Sequence, residues 1–316
     1  MGKRIMLIVN PKAGKEQYRH EIAGILDVLC KKGSTVGVYM TAHRGHAEEL
    51  VRKEGSLYDA VACVGGDGTL GETISGLMRL KIRPPVCHIP LGTANDVAAS
   101  LDLPRNPSEA ARLLRTGTPT PIDVGRFAGK HFTYIAAFGA FTEVSYQTPH
   151  ENKKNLGHLA YLLEGMGRLS KVTPHNLVVE FDGKNRMEGE FIFGAVANTT
   201  SIAGLVKIKR DLVNLSDGAF EVILVKNPRN IVDINNIFMG VFTQKYDEEY
   251  VQVRKAKKVR FLFENPVPWT RDGEDGGFHT DITLRAIQPG VQIFLPKGRS
   301  HRPKGGGTAL VLDREE

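Results

Sequence analysis

Ala60-Val61-Ala62-Cys63-Val64-Gly65-Gly66-Asp67-Gly68-Thr69 is the stretch on which the fold class turns. A short apolar run of strand length leads directly into glycines, and Ile74, Leu77 and Met78 then recur at helical spacing. At such a strand–turn–helix junction the N–H groups of the turn and the helix start point into the gap, which makes an anion site suited to phosphates. Glycine permits close approach and positive φ. Asp67 would repel a phosphate there unless a metal ion stood between them, so an acid in a phosphate loop implies Mg²⁺. The plain alternative is a tight turn with a solvated Asp.

The surrounding sequence repeats the pattern. Ile5 to Val9 reads as a buried strand closed by Asn10-Pro11, and Tyr18, Ile22, Ile25, Leu26 and Leu29 as one helix face ended by Gly33. Val36 to Tyr39 is a second strand, Ala47, Leu50 and Val51 the buried side of a second helix, and Val86 to Ile89 a further strand. Asn106 is placed to cap a helix with Pro107 at its first position and Glu109 completing a capping box. Gly117 closes that helix, and Thr118-Pro119-Thr120-Pro121 reads as a linker. Strands alternating with helices predict a mostly parallel sheet. From about residue 124 short alternating segments dominate, with Asp182-Gly183 as a hairpin turn, and predict an antiparallel, sandwich-like half. Helical patterns interrupt it around Leu156 to Leu169 and Ile231 to Phe242, and Gly305-Gly306-Gly307 belongs to a loose tail.

Length and composition bound the class. The chain has 316 residues, enough for two domains, with 42 Lys+Arg against 35 Asp+Glu and a formal charge of +7. At 41% hydrophobic and 24% charged it has an ordinary globular composition. No apolar run approaches the roughly 20 residues that cross a bilayer. The apolar stretch after Met1-Gly2-Lys3-Arg4 stops at Asn10-Pro11, too short for a signal peptide, so the cytoplasm is expected. Cys30, Cys63 and Cys87 lack the spacing of a disulfide framework or a zinc site. The mild positive charge fits nucleic acid, an anionic membrane surface, a phosphate-bearing substrate, or solubility alone.

Two familiar phosphate motifs fail in detail. Gly66-x-Gly68-x-x-Gly71 satisfies the dinucleotide fingerprint, but it follows the third strand, and the next strand ends in His88-Ile89-Pro90 without the required acid. A Walker loop is absent because Glu16 follows Gly14-Lys15. Instead a second glycine turn, Pro90-Leu91-Gly92-Thr93-Ala94-Asn95-Asp96, and the Asn10-Pro11-Lys12-Ala13-Gly14 turn also follow strands. Three polar turns at the ends of neighbouring strands face one crevice, where open α/β sheets bind ligands.

These residues resemble the diacylglycerol kinase catalytic-domain family, in particular its soluble bacterial lipid kinases. The shared residues are Asn10-Pro11 with Ala13-Gly14, Gly65 to Thr69 with Glu72, and Pro90, Gly92, Thr93, Asn95, Asp96 and Ala98. Asp123, the stretch Lys154-x-Leu156-Gly157-x-x-Ala160-Tyr161, Asp217-Gly218 and Asp272-Gly273-Glu274 extend it over nearly the whole chain. The resemblance implies an α/β protein in which an N-terminal nucleotide-binding α/β domain with a mostly parallel sheet (1–123, with 290–316 returning to it) joins a C-terminal antiparallel β-sandwich domain (124–289). ATP would meet a lipid hydroxyl in the cleft between them.

Carried over residue by residue, the resemblance assigns nucleotide contacts to Asn10, Pro11, Lys12, Ala13, Gly14, Thr41, Gly66, Asp67, Gly68, Thr69, Leu70, Gly71, Glu72 and Thr93. Gly71 stands where the family usually has Asn, which removes a side-chain contact near the nucleotide or the helix start. Glu274 matches the family's proposed base; a lipid alcohol is a weak acid and needs one close by. Asp67, Asp96 and Asp123 resemble residues that hold the catalytic Mg²⁺ directly or through water. Helix capping for Asp96 and a turn for Asp123 are the plainer readings. Asp217 resembles the side-chain ligand of a separate structural Mg²⁺, with main-chain carbonyls of Asn214 and Ala219; an ordinary Asp-Gly turn is the alternative.

The expected function is an ATP-dependent lipid kinase that converts diacylglycerol to phosphatidic acid. A kinase for another lipid alcohol (a sphingoid base, ceramide or phosphatidylglycerol) and a non-catalytic nucleotide-binding regulatory protein are the alternatives. NAD kinase shares a G-G-D-G turn but not the P-x-G-T-x-N-D and D-G-E motifs. The expected partners are the lipid substrate and an anionic membrane surface, with no nucleic acid and a homodimer left open. Such a protein is cytoplasmic and peripherally membrane-associated. Arg254, Lys255, Lys257, Lys258 and Arg260, and Lys297 to Lys304, form acid-free basic runs that offer docking surfaces or simply solvated faces. His43 and His46 lack a visible third metal ligand, and Trp269 and Phe278 either line an acyl entry or anchor the Glu274 loop.

Overall fold

The structure, a computed structural model, describes residues 2–16, 18–140, 172–199, 201–202, 206–207, 214–243 and 247–298. The first part alternates β1 (Arg4–Val9), α1 (Tyr18–Leu29), β2 (Thr35–Met40), α2 (His46–Glu54), β3 (Ala60–Gly65), α3 (Asp67–Met78), β4 (Val86–Pro90), α4 (Asp96–Ser100) and α5 (Pro107–Thr116). Strands follow in the order β4-β3-β1-β2, all paired in parallel. Ile5 to Val9 and Ala60 to Val64 are fully buried because helices cover both sheet faces, which is why these strands read as continuous apolar runs. The register matters for function: Val9 lies opposite Met40 and Val64, and Gly65 opposite Pro90. The turns after β1, β2, β3 and β4 therefore leave the sheet at one level.

The second part contains β5 (Thr118–Phe127), β6 (Lys130–Phe132), β7 (Ile135–Gly139), β8 (His175–Phe181), β9 (Asn185–Ala197), β10 (Ser201–Ile202), β11 (Val206–Lys207) and β12 (Phe220–Lys226). A helix, α6 (Ile231–Thr243), precedes β13 (Val251–Ala256), β14 (Lys258–Arg271) and β15 (Glu274–Leu295). β5 to β9 and β12 to β15 pair antiparallel among themselves. They close on an aromatic core of Phe127, Phe132, Phe138, Phe191, Phe220, Phe261 and Trp269. Trp269 is 1% exposed, with ring centroids 5.0 Å from Phe138 and 5.1 Å from Phe261, so it anchors this core, whereas Phe278 is 70% exposed. β15 joins the two parts, since Ile293 pairs in parallel with Val86 of β4.

Several details differ from the sequence expectations. Thr118 to Pro121 is not a linker but the start of β5, with Pro119 opposite Phe294 and Pro121 opposite Gln292. The prolines fit because β6 reaches only Gly125 to Phe127, leaving this end of β5 an edge that needs no donor. α1 stops at Leu29, four residues before Gly33; a separate 3₁₀ turn, Lys31–Gly33, follows, with positive φ at Lys32 and Gly33. Asn106 caps α5 as expected, its Oδ1 accepting the Glu109 N–H at 3.0 Å. The pattern around Leu156 to Leu169, the Lys154 to Tyr161 stretch and the glycine tail lie outside the described residues.

Candidate active site

The two glycine turns are packed backbone against backbone. A Cβ on Gly66 would lie 3.1 Å from the Gly92 Cα, so only glycines let the turns meet. Asp67 opens α3 and reaches across to the second turn, its Oδ2 accepting from Asp96 N (2.9 Å) and Oδ1 from Val97 N (3.1 Å). Asp67 thus caps α4, the task its own neighbour Asn95, in left-handed conformation, does not perform. Burial, reinforced by the charge of Asp96, pushes the Asp67 carboxyl up. Asn10 ties in the first turn: its Nδ2 donates to Thr69 Oγ1 at 2.9 Å, and its Oδ1 accepts from Lys12 N.

The C-terminal part supplies the opposite wall. Asp272, with positive φ, turns its carboxylate back to accept from Thr133 N (2.6 Å), Tyr134 N (3.0 Å) and Ile135 N (3.1 Å). Burial raises its carboxyl to about 6 even against those three donors. This bracket fixes the chain that presents Glu274. Tyr134 reports the convergence: burial raises its phenol, and the charges of Asp272, Asp67, Asp96 and Glu274 all add to that shift. Asp67, Asp96 and Glu274, far apart in sequence, are therefore all close enough to Tyr134 for their charges to act on it. Glu274 accepts from Arg44 Nε at 2.9 Å on Oε1 and lies 3.4 Å from an Arg271 nitrogen on Oε2.

The other expected nucleotide contacts differ in what they can offer. Thr41 N donates to Val9 O, which holds its residue at the same sheet edge. Glu72 accepts from Gly45 N (2.8 Å) and Ala47 N (3.2 Å), so its carboxylate caps α2. Leu70 is fully buried and its N–H donates to Gly66 O, leaving neither for a ligand. Gly68 has open space around it, and Lys12 and Thr93 are exposed at the rim. Gly71 faces Asp272 and Thr133. Sequence reasoning gave no role to Arg44, Arg271, Tyr134 or Asp272; only Asp272 had a signal, its place in the D-G-E motif. His43 and His46 do acquire a third group, Glu49, with ligand atoms within 4.8 Å. His46 Nδ1, however, accepts the Ala42 N–H, which leaves the ring proton on Nε2 and that ring unready for a metal.

Asp123 belongs to a different neighbourhood. It is fully buried, its Oδ2 accepts from Gly218 N at 2.6 Å, and its Oδ1 has no hydrogen-bond partner. Burial, then the charge of Asp217, raises it to about 6. Glu221, 1% exposed, is pushed to about 8 by burial. Lys255 is the cation of this group, bonded to Asp217 Oδ2 and 3.5 Å from Glu221 Oε1. Three acidic side chains share one ammonium here, and the buried Asp123 Oδ1 has no hydrogen-bond partner, an arrangement with room for a further hard cation. The resemblance assigns such a cation to Asp217 with the carbonyls of Asn214 and Ala219; in the structure Asp217 accepts from Ala219 N on Oδ1 and from Lys255 on Oδ2. The basic run expected to be acid-free is partly neutralised, because Lys255 pairs here and Arg260 pairs with Asp281 at 2.7 Å.

Comparison with known proteins covers both parts of the chain. Residues 4–127 match the diacylglycerol kinase catalytic domain, and residues 137–292 the YegS C-terminal NAD kinase beta sandwich-like domain. A diacylglycerol kinase of Bacillus subtilis (strain 168) is 33% identical over 303 residues, covering 95% of this chain and 99% of that one. The chain belongs to the diacylglycerol kinase family. A diacylglycerol kinase of Staphylococcus aureus (strain MRSA252) is 33% identical over 94% of this chain and 93% of its own. A crystal structure assigned as a diacylglycerol kinase, from Bacillus anthracis strain Sterne, superposes with TM-score 0.79 at 26% identity, covering 94% of this chain and 97% of that one. As a diacylglycerol kinase family member, the chain has its two glycine turns and Asp67 inside the catalytic-domain match, and Glu274 inside the second match. Membership implies that nucleotide is used.

Proposed function

We propose that this chain transfers the γ-phosphoryl group of ATP to the hydroxyl of diacylglycerol, giving phosphatidic acid and ADP. The observation that carries the reading is the Glu274 turn standing against the ligand edge of the parallel sheet: Glu274 accepts from Arg44, in the loop after β2, at 2.9 Å, and Asp272 faces Gly71 of the helix that Asp67 opens. The open N–H-rich turn at Gly66 to Gly68 receives phosphates, and Asn10 and Thr69 fix its neighbour. Asp67 and Asp96 are the carboxylates that would hold a Mg²⁺, which supplies charge neutralisation on the phosphates when bound. Glu274 takes the proton from the acceptor hydroxyl as its oxygen bonds to phosphorus and the bond to the ADP oxygen breaks. Asp123, placed with Gly218 and Asp217, acts through the structural cation site rather than on the phosphate.

The division into 1–123 with 290–316, and 124–289, is part of the same reading; it is supported by β15, whose last residues pair with β4 while its first residues carry Glu274. Among the described residues no helix is long and apolar enough to cross a membrane. Arg254, Lys257 and Lys258 remain exposed for peripheral contact with a lipid surface. The test is phosphoryl transfer from labelled ATP over a panel of lipid alcohols in mixed micelles, with Glu274→Gln beside the unaltered chain. Turnover on diacylglycerol that falls about 10²- to 10⁴-fold in the variant supports the proposal. Preference for a sphingoid base, or equal turnover in the variant, overturns the acceptor or the base assignment respectively.

A further inference from the structure

The outer face of the antiparallel part carries a row of basic side chains. Lys258 of β14 stands directly opposite Arg285 of β15, Arg285 opposite Arg126 of β5, and Arg126 opposite His131 of β6. Residues so placed have Cβ atoms about 4.5–5.5 Å apart, and like charges there repel. Lys258, Arg285 and Arg126 are exposed, and their side chains make no ion pair or hydrogen bond among the described residues. The next row of the same face is built differently. Arg260, two residues from Lys258, lies 3.5 Å from Glu180 opposite it and pairs with Asp281 at 2.7 Å. A sheet that neutralises one row and leaves its neighbour bare concentrates positive charge at the bare one.

Further arginines gather at the His131 end. Burial first, then the charges of Arg79, Arg126, Arg83 and Arg271, lower the half-buried His131 ring to about 4, so four guanidinium groups lie within electrostatic reach of it. Three of them have other partners. Arg79 closes α3 and lies 3.8 Å from Glu48, Arg83 donates to the carbonyls of Pro289 and Gly290, and Arg271 donates to the His131 carbonyl and faces Glu274. Arg126, and Arg285 opposite it, have none. The phosphate turn is elsewhere: Arg79 stands at the far end of α3 from Asp67, and a helix of 12 residues is about 18 Å long.

Two opposed guanidinium groups with no acid between them match a ligand with two negative charges and oxygens enough for two forks. A phosphomonoester is such a group, with a charge of about −1.5 to −2 at neutral pH, whereas a phosphodiester carries a single charge. We propose that Arg126 and Arg285 form a docking site for the phosphomonoester headgroup of a lipid in a bilayer, separate from the phosphate turn at Gly66 to Gly68. The proposal rests on the reading of this chain as a kinase that works at a lipid surface, and it names the surface: one that already holds the product, phosphatidic acid. Arg254, Lys257 and Lys258 attract any anionic surface; the opposed arginines select the monoester. No bond is made or broken at this site.

The experiment is co-sedimentation of the full chain with phosphatidylcholine vesicles that contain either phosphatidic acid or enough phosphatidylglycerol to give the same surface charge. The unaltered protein should bind the phosphatidic acid vesicles about 5-fold or more tightly than the others. Arg126→Gln with Arg285→Gln should bind the two alike. So should Arg126→Lys with Arg285→Lys, which keeps the charge without the planar fork. Arg254→Gln with Lys257→Gln should weaken both and keep the preference. The Arg126→Gln, Arg285→Gln pair relieves like-charge repulsion, so its melting temperature should equal or exceed the parent's, which separates lost binding from unfolding. Equal binding of the unaltered chain to the two vesicles, or a preference that survives in that pair, overturns the site. Inorganic phosphate that stabilises the parent but not the pair, without any vesicle preference, overturns the lipid as ligand in favour of a soluble anion. Failure of the kinase reading shows separately, as absent turnover on diacylglycerol in mixed micelles by a chain that still favours phosphatidic acid vesicles.

Discussion

A Cβ built on Gly92 would stand 2.5 Å from the Cα of Gly66, so the two motif turns exclude any side chain at their contact. Gly92→Ala must push the turns apart, and overpacking of this kind costs about 1–3 kcal/mol. Gly68 is the opposite case, with nothing within 4 Å of its added Cβ and a position inside α3. Gly68→Ala should keep or raise stability while weakening nucleotide binding, because the open space it fills is the space assigned to phosphate. Urea unfolding and nucleotide titration of both variants separate the two roles; a stable Gly68→Ala with unaltered affinity would move the phosphates elsewhere.

Lys255 leans on Asp217 and on buried Glu221 at once. Asp217→Ala leaves that ammonium with one partner and removes the side chain that would bind a cation. The expected result is a lower melting temperature, together with loss of any stabilisation by added Mg²⁺ that the unaltered chain shows over EDTA-treated protein. Thermal unfolding with and without Mg²⁺ checks both parts. If Mg²⁺ stabilises the variant as much as the parent, Asp217 is not the ligand.

The legible part of this fold was the part written in local pattern. Ile5 to Val9 and Ala60 to Val64 declare buried strands because helices on both faces exclude polar residues, and Asn106-Pro107 declares a helix start because one side chain and one ring satisfy local needs. Thr118 to Pro121 misled because two prolines suit both a linker and an unpaired strand edge, and only the arrival of β15 from the far end of the chain decides between them. The site divides in the same way. Glycine turns and the D-G-E motif are contiguous, so they show in sequence. Asp67 as the cap of α4, Glu72 as the cap of α2 and Arg44 on Glu274 are tertiary bonds across 29, 27 and 230 positions, with no local trace.

His88 lies fully buried in β4, and burial lowers its ring to about 4 from an ordinary 6.5. The unfolded chain then binds the extra proton first as pH falls. The stability that comes from keeping His88 neutral is complete above pH 6.5 and drains away as pH drops toward 4. His88→Gln, with no proton to gain, should show a shallower fall of unfolding free energy between pH 6.5 and 4 by up to about one proton. Denaturant titrations at several pH values measure the slope. Parallel slopes would mean that His88 takes up its proton inside the folded protein.

Gly71 departs from the Asn usual in the family, and its surroundings would accept the family residue. An added Cβ would lie 3.5 Å from Asp272 Oδ2 and 3.7 Å from Thr133 Oγ1, ordinary contact distances, and the position lies inside α3 without positive φ. Asn is a slightly better helix residue than Gly, by a few tenths of a kcal/mol. Its amide would also face the Asp272 carboxylate, whose three backbone donors leave lone pairs to spare. Gly71→Asn should therefore be at least as stable as the parent and should bind nucleotide more tightly, the second α3 turn being tied to the Asp272 bracket that presents Glu274. Melting temperature and calorimetric affinity for an ATP analogue test the two claims separately. A destabilised variant would show that the Gly71 gap is closed by Thr133 and Asp272, and a stable variant with unchanged affinity would detach position 71 from the nucleotide.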